Sequence, residues 1–117
     1  MAATTSIVQR VSVCSELRRL RSDRELLNSV AELIYSEFLR EERGFAVVDR
    51  LATGVSTPVV KFALYELLRV AEARKDPRIE KVVSMILAGL DSEECLELAL
   101  ELSRSIAVLA LAKRFRG

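Results

Sequence analysis

At 117 residues the chain has the length of one compact domain, large enough to bury a core without metal or disulfide staples. Half of its residues are hydrophobic, only 5% are aromatic and 30% are charged, a composition that excludes disorder and favours helices packed through Leu, Val and Ala. Lys and Arg number 18 against 17 acids, for a formal net charge of +1, which removes the plainest sign of a nucleic-acid binder, a large positive excess, and leaves only local patches.

Taken in chain order, Ile7, Val8, Val11, Leu17 and Leu20 predict a first helix with a frayed start over residues 1–5. Ser22 followed by Glu25 has the capping-box spacing. It opens a helix from Asp23 to Glu42 that places Leu26, Leu27, Val30, Leu33, Ile34, Phe38 and Leu39 on one face, with Gly44 as its stop. A short helix over Ala46 to Thr53 and the turn Gly54–Val55–Ser56 come next. Thr57 as cap and Pro58 at the first helical position then begin a helix to Ala73, whose inward stripe is Val59, Val60, Ala63, Leu64, Leu67, Leu68 and Ala71. Asp76–Pro77 starts another in the same way, with Ile79, Val82, Val83, Ile86 and Leu87 inward and Gly89 closing it. Asp91 with Glu94 begins the last, which runs to about Arg114 and turns apolar nearly all round after Ser105, as a helix does when it is central or buried against another subunit. The expectation is an all-α, single-domain bundle of five or six helices over residues 1–117 with a long apolar C-terminal helix.

Cys14 and Cys95 are too few for a disulfide framework and lack metal-ligand spacing, so they read as small core residues in a reducing compartment, with a bond between them as the alternative. The longest uninterrupted apolar run, Ile106 to Ala112, is far short of the roughly 20 residues that span a bilayer. No basic stretch followed by an apolar run opens the chain, and a cytoplasmic protein is expected. Histidine is absent. The carboxylate pairs Glu41–Glu42, Glu93–Glu94 and Glu97–Glu101 read as charged helix faces beside Arg40, Arg43 and Arg104. Tyr35 and Tyr65 read as rim residues of the core. No catalytic constellation, metal site or cofactor is expected.

The basic residues are the better candidates. Arg outnumbers Lys 14 to 4, and Arg suits bidentate phosphate contacts and ion-pair networks; a GC-rich or thermophilic genome gives the same bias. Arg18, Arg19, Arg21 and Arg24 crowd the first interhelical junction, Arg69, Arg74, Lys75, Arg78 and Lys81 surround the Asp76–Pro77 turn, and Lys113, Arg114 and Arg116 end the chain. Two of these groups brought together form a stripe that neutralises phosphates; separately, several of them complement helix C-termini. The segment 46–73 also reads as a helix-turn-helix whose second helix offers Lys61, Tyr65 and Arg69 outward, although Thr53 stands where that motif normally packs a leucine. An oligomerising scaffold, using Ile106, Val108, Leu109 and Leu111, is the third class.

The stretch Gly44–Phe45–Ala46–Val47–Val48–Asp49–Arg50–Leu51, followed by a capped amphipathic helix and by a C-terminal helix rich in Ala and Leu that ends in basic residues, resembles the small helical subunit of archaeal type I-A CRISPR interference complexes. The likeness covers about Leu33 to Arg74 and, more loosely, Leu98 to Phe115; the beta insertion of some relatives has no counterpart. It implies a non-catalytic protein that packs beside the backbone subunits and copies of itself and helps hold guide RNA or the target or displaced DNA strand. It implies no membrane and no small-molecule substrate. Charge and expected exposure nominate Arg18, Arg19, Arg21, Arg50, Lys61, Arg69, Lys113, Arg114 and Arg116 as strand contacts. The scarcity of aromatics points to backbone contacts rather than base stacking.

Overall fold

The computed structural model describes residues 13–40, 42–54 and 56–116, and among them there are six helices and no strand. Helix α1 covers 13–22, α2 Arg24–Ile34, α3 Glu42–Thr53, α4 Thr57–Ala73, α5 Pro77–Leu90 and α6 Leu96–Arg116; a π-helical turn, Tyr35–Leu39, extends α2. The expected positions Ile7, Val8 and Val11 lie outside the described residues, as do Glu41, Val55 and the side chains of Glu42, Arg43 and Arg116.

The axis of the fold is α6, which packs against α2, α3 and α5. Its Ala99, Leu102, Ile106, Ala107 and Ala110 are buried, so much of the apolar second half belongs to the core of this chain, while Val108, Ala112 and Phe115 are exposed. Ser103 is buried in the same face and its Oγ donates to the Ala99 carbonyl at 2.9 Å, which removes the cost of an unpaired hydroxyl. Against α6 the expected stripes of α2 and α5 are all buried, apart from a half-buried Leu26. Small residues let the helices approach: a Cβ on the buried Gly89 of α5 would lie 2.5 Å from Leu17 Cδ1 of α1 and 3.1 Å from Ala99 Cβ of α6.

Several boundaries differ from the expected ones, each for a local reason. Ser22 ends α1, and it is Asp23 that caps α2, its carboxylate accepting from the Leu26 amide at 3.0 Å. The expected helix to Glu42 stops at the π turn, where a wider backbone turn carries Phe38 and Leu39 into the core. Gly44 is no stop: it lies in the first turn of α3, with no left-handed backbone, at a point where α3 comes against the Phe38 carbonyl. Ser56, not Thr57, precedes α4, and Val59 is 39% exposed rather than inward. The segment 91–95 is a turn, so α6 starts at Leu96 rather than at Asp91. At Asp76 the expected cap holds, accepting from the Ile79 amide at 3.3 Å.

The cysteines also depart from the reduced reading. Cys14 on α1 and Cys95 at the end of the turn before α6 are both buried, and they form a disulfide with Cα atoms 5.6 Å apart across a sequence separation of 81, inside the range that bridged cysteines occupy.

The α4–α5 turn closes as a Schellman motif, with Asp76 N–H donating to Ala71 O at 3.1 Å and Lys75 N–H to Glu72 O at 3.0 Å. Its left-handed position is held by Lys75, at φ 56°, where glycine carries no Cβ penalty. Lys75→Gly is therefore expected to stabilise the fold by about 1 kcal/mol, read as a higher urea midpoint with an unchanged denaturant slope.

Candidate nucleic-acid interface

The nominated cations fall into two kinds of environment. Lys61 on α4 pairs with Asp91 beyond α5, Arg69 with Glu66 at 2.7 Å, and Lys113 on α6 with Glu32 on α2 at 2.9 Å. Arg74, from the wider basic set, pairs with Glu37 of the π turn. All but the Arg69–Glu66 pair, which lies within α4, tie separate elements together, and a phosphate would have to displace a carboxylate to reach any of them. The hydrogen bond to Asp91 raises the Lys61 ammonium above its ordinary 10.5; desolvation opposes it, and the charges of Asp91 and Tyr65 add smaller upward contributions. A raised basic group lends stability that is complete below its unfolded value and fades as pH climbs through the folded one, so the link weakens only in strongly alkaline solution.

Arg18 and Arg21 join Arg24 and Arg104 along a pair of adjoining clefts between α1, α2 and α6, of about 730 and 570 Å³. Glu25, Glu94, Glu97 and Glu101 line the same clefts, and Arg21 reaches Glu101 at 3.8 Å. Four acids interleaved with four arginines give a balanced field rather than a basic stripe. Arg19 faces a separate, smaller cleft with Arg78 and Lys81, again beside acids, Glu16 and Asp23. The structure therefore does not gather the nominated residues onto one surface.

Arg50 and Arg114 are different. Neither has a carboxylate partner among the described residues; each lies over an aromatic ring, Arg50 of α3 at 5.5 Å from the Phe62 centroid on α4 and Arg114 of α6 at 5.4 Å from the Phe45 centroid on α3. Both rings are open to solvent, Phe45 39% and Phe62 57% exposed. The local sequence explains the outward placement. In α3, Val48 and Leu51 take the core side, which turns Phe45, Ala46, Asp49, Arg50 and Thr53 out. In α4, the run Val60, Ala63, Leu64, Leu67 and Ala71 fills the inward stripe, which leaves Val59, Phe62, Tyr65 and Arg69 on the other side at spacings of three and four. Arg50, Pro58, Val59 and Phe62 enclose a shallow depression of about 330 Å³.

Tyr65, read from the sequence as a rim residue, is as exposed as Phe62, and Phe115 is 83% exposed beside Arg114. Phe62 is the residue that sequence reasoning missed. The signal was present, because the five core positions of α4 leave a 3–4 spaced stripe that contains it. The same stripe shows that few aromatics is not the same as few exposed aromatics. Only Phe38, among the four phenylalanines, is buried.

Among the described residues no three His, Cys, Asp or Glu side chains come together so as to hold a metal ion, and no helix is long and apolar enough to cross a membrane. Compared with protein-family models, with curated proteins and with solved structures, the chain has no significant match.

Proposed function

We propose that this chain is a non-catalytic helical subunit that holds a single strand of nucleic acid within a larger assembly, and that the assembly is the one implied by the resemblance of 44–51, an RNA-guided CRISPR interference complex of the type I-A kind, acting in the cytoplasm. The observation that carries the strand-binding part is that Arg50 and Arg114, which have no carboxylate partner among the described residues, are seated on exposed phenylalanines. Proteins that hold single strands without reading sequence combine cationic side chains with exposed aromatic rings. Phe45, Asp49 and Arg50 of the resembling stretch lie outward, while Val48 and Leu51 anchor it to the core. Neighbouring subunits of such an assembly have the remaining polar faces to dock on.

A helix-turn-helix regulator draws support from one feature, the boundaries: α3 ends at Thr53 and α4 starts at Thr57, as that motif requires. A helix that enters the major groove, however, needs polar groups toward the bases, and the outer face of α4 opens with Pro58, Val59, Phe62 and Tyr65. A scaffold built on α6 would have Val108 and the half-buried Leu109 and Leu111 as its apolar surface, since Ile106 belongs to the core of this chain.

Equilibrium binding of the purified chain to labelled single-stranded RNA and DNA and to a duplex tests the proposal. The expected result is salt-sensitive binding to single strands without sequence preference. Arg50→Ala is expected to weaken it by about five- to tenfold, having removed both a charge and a planar stacking partner. Lys61→Ala, whose ammonium already serves Asp91, leaves it nearly unchanged. Preference for one palindromic duplex supports the regulator instead, and absence of affinity at low salt rejects both.

A further inference from the structure

Resting on the strand-binding reading, we infer that the α3/α4/α6 face takes single-stranded nucleic acid by stacking unpaired bases on two arginine–phenylalanine pairs, Arg50–Phe62 and Arg114–Phe45, rather than by phosphate contact alone. The guanidinium carbons lie 5.5 and 5.4 Å from the ring centroids, within cation–π reach, and a base that stacks on the open surface of the exposed Phe62 or Phe45 ring comes within reach of the guanidinium as well. Its edge N–H groups stay available for a phosphate or a base edge.

The two pairs are tied to one rigid element. Phe45 and Arg50 stand five positions apart on α3, a separation of about 9 Å between Cα atoms in an α-helix. Five positions also turn through about 140° of the helix, so the pairs flank α3, one toward α4 and the other toward α6, and a strand that crosses the exposed side of α3 meets one pair on each flank. Between the pairs the helix presents Ala46 and Asp49, and Asp49 opposes a phosphate there. The charge on this face is therefore small, and electrostatics alone would hold a strand weakly. Exposed ring area is what the face has in quantity, with Phe45, Phe62, Tyr65 and Phe115 all open. Duplexes keep their bases stacked inside and cannot use it, which makes single strands the ligand class. Every base has a π face, so sequence selectivity is low.

The test is fluorescence anisotropy on the full chain with a short labelled single-stranded RNA, the same strand carrying abasic sites at its central positions, and the matched duplex. The intact strand is expected to bind about tenfold tighter than the abasic one at equal salt. Phe62→Leu, Phe45→Leu and Arg50→Lys keep apolar bulk or charge but remove a plane. Each is expected to weaken the intact strand about five- to tenfold and leave the abasic strand and the salt slope unchanged. Circular dichroism verifies that these exposed positions leave the fold intact. Equal affinity for intact and abasic strands overturns the stacking inference while the strand-binding reading survives. No salt-sensitive affinity for any strand overturns that reading as well. Self-association in sedimentation that Phe62→Ala abolishes, with no strand bound, assigns the face to a second copy of the chain and also overturns both.

Discussion

Removing the Cys14–Cys95 bond, by reductant or as Cys14→Ala, is expected to lower stability by about 4 kcal/mol, because the bridge closes a loop of 81 residues' separation and withdraws that much chain entropy from the unfolded state. For a chain of this length the change corresponds to a fall in melting temperature of about 15 °C. Alanine is the appropriate replacement, since both positions are buried and serine would bring a hydroxyl into the core. Urea unfolding of the oxidised, reduced and Cys14→Ala forms measures the effect: the last two should share one lower midpoint, with a denaturant slope at least as steep, because an unlinked chain exposes more surface on unfolding. Coincident midpoints for oxidised and reduced protein, or two free thiols on titration of the native chain, would show that the sulfurs are not bonded. The bond ties α1 to the entry of α6. Its loss should therefore be felt first in α1, which is expected to lose hydrogen-exchange protection ahead of α4 and α5.

A disulfide does not fit the reducing compartment that two isolated cysteines suggested. Intracellular disulfides are rare in mesophiles but frequent in hyperthermophiles. A thermophilic genome was one of the explanations of the Arg bias, 14 to 4 over Lys, so the two observations agree without requiring export.

What could be read from the sequence follows from how local each signal is. The α5 stripe was legible because Asp76–Pro77 fixes its start and each inward residue recurs at helical spacing. The buried half of α6 was legible as central or interfacial, and only tertiary contact with α2, α3 and α5 decides for central. The disulfide was legible only as the alternative to two reduced core cysteines, since nothing local at Cys14 places a partner 81 residues on beside it. The ion pairs failed to appear for the same reason: Glu32 meets Lys113, and Asp91 meets Lys61, only after the bundle closes. Charge clusters in sequence thus overstated the basic surface. Five basic residues enter ion pairs, four between elements and one within α4, and what sets Arg50 and Arg114 apart is a neighbouring aromatic ring, not neighbouring charge.

Gly44→Ala is expected to destabilise the fold by about 3 kcal/mol or more, the upper end for overpacking, because what the new methyl meets is backbone. A Cβ at this position would fall inside the van der Waals envelope of the Phe38 carbonyl and Cα, and a peptide group, unlike a side chain, cannot rotate aside. The other glycines grade the comparison. At Gly54 the Cβ would strike Val60 Cγ2, a stiff β-branched side chain, so Gly54→Ala is expected to cost less than Gly44→Ala. At Gly89 the nearest atom is the tip of Leu17, which has rotamers to move into, and the effect should be the smallest of the three. Gly44 and Gly54 stand at the two ends of α3, so close approach seats that helix against the π turn at one end and against α4 at the other. The same seating fixes where Phe45 meets Arg114 and where Arg50 meets Phe62. Gly44→Ala should therefore lower the thermal midpoint and, at temperatures where the variant is still folded, weaken single-strand binding more than a substitution remote from α3 of comparable thermal cost, such as Ile86→Ala in the α5 core. A Gly44→Ala midpoint within about 2 °C of the parent, against a shift of roughly 10 °C expected from the cost above, would mean that α3 does not close on the π turn, and the positioning of both arginine–phenylalanine pairs would fall with it.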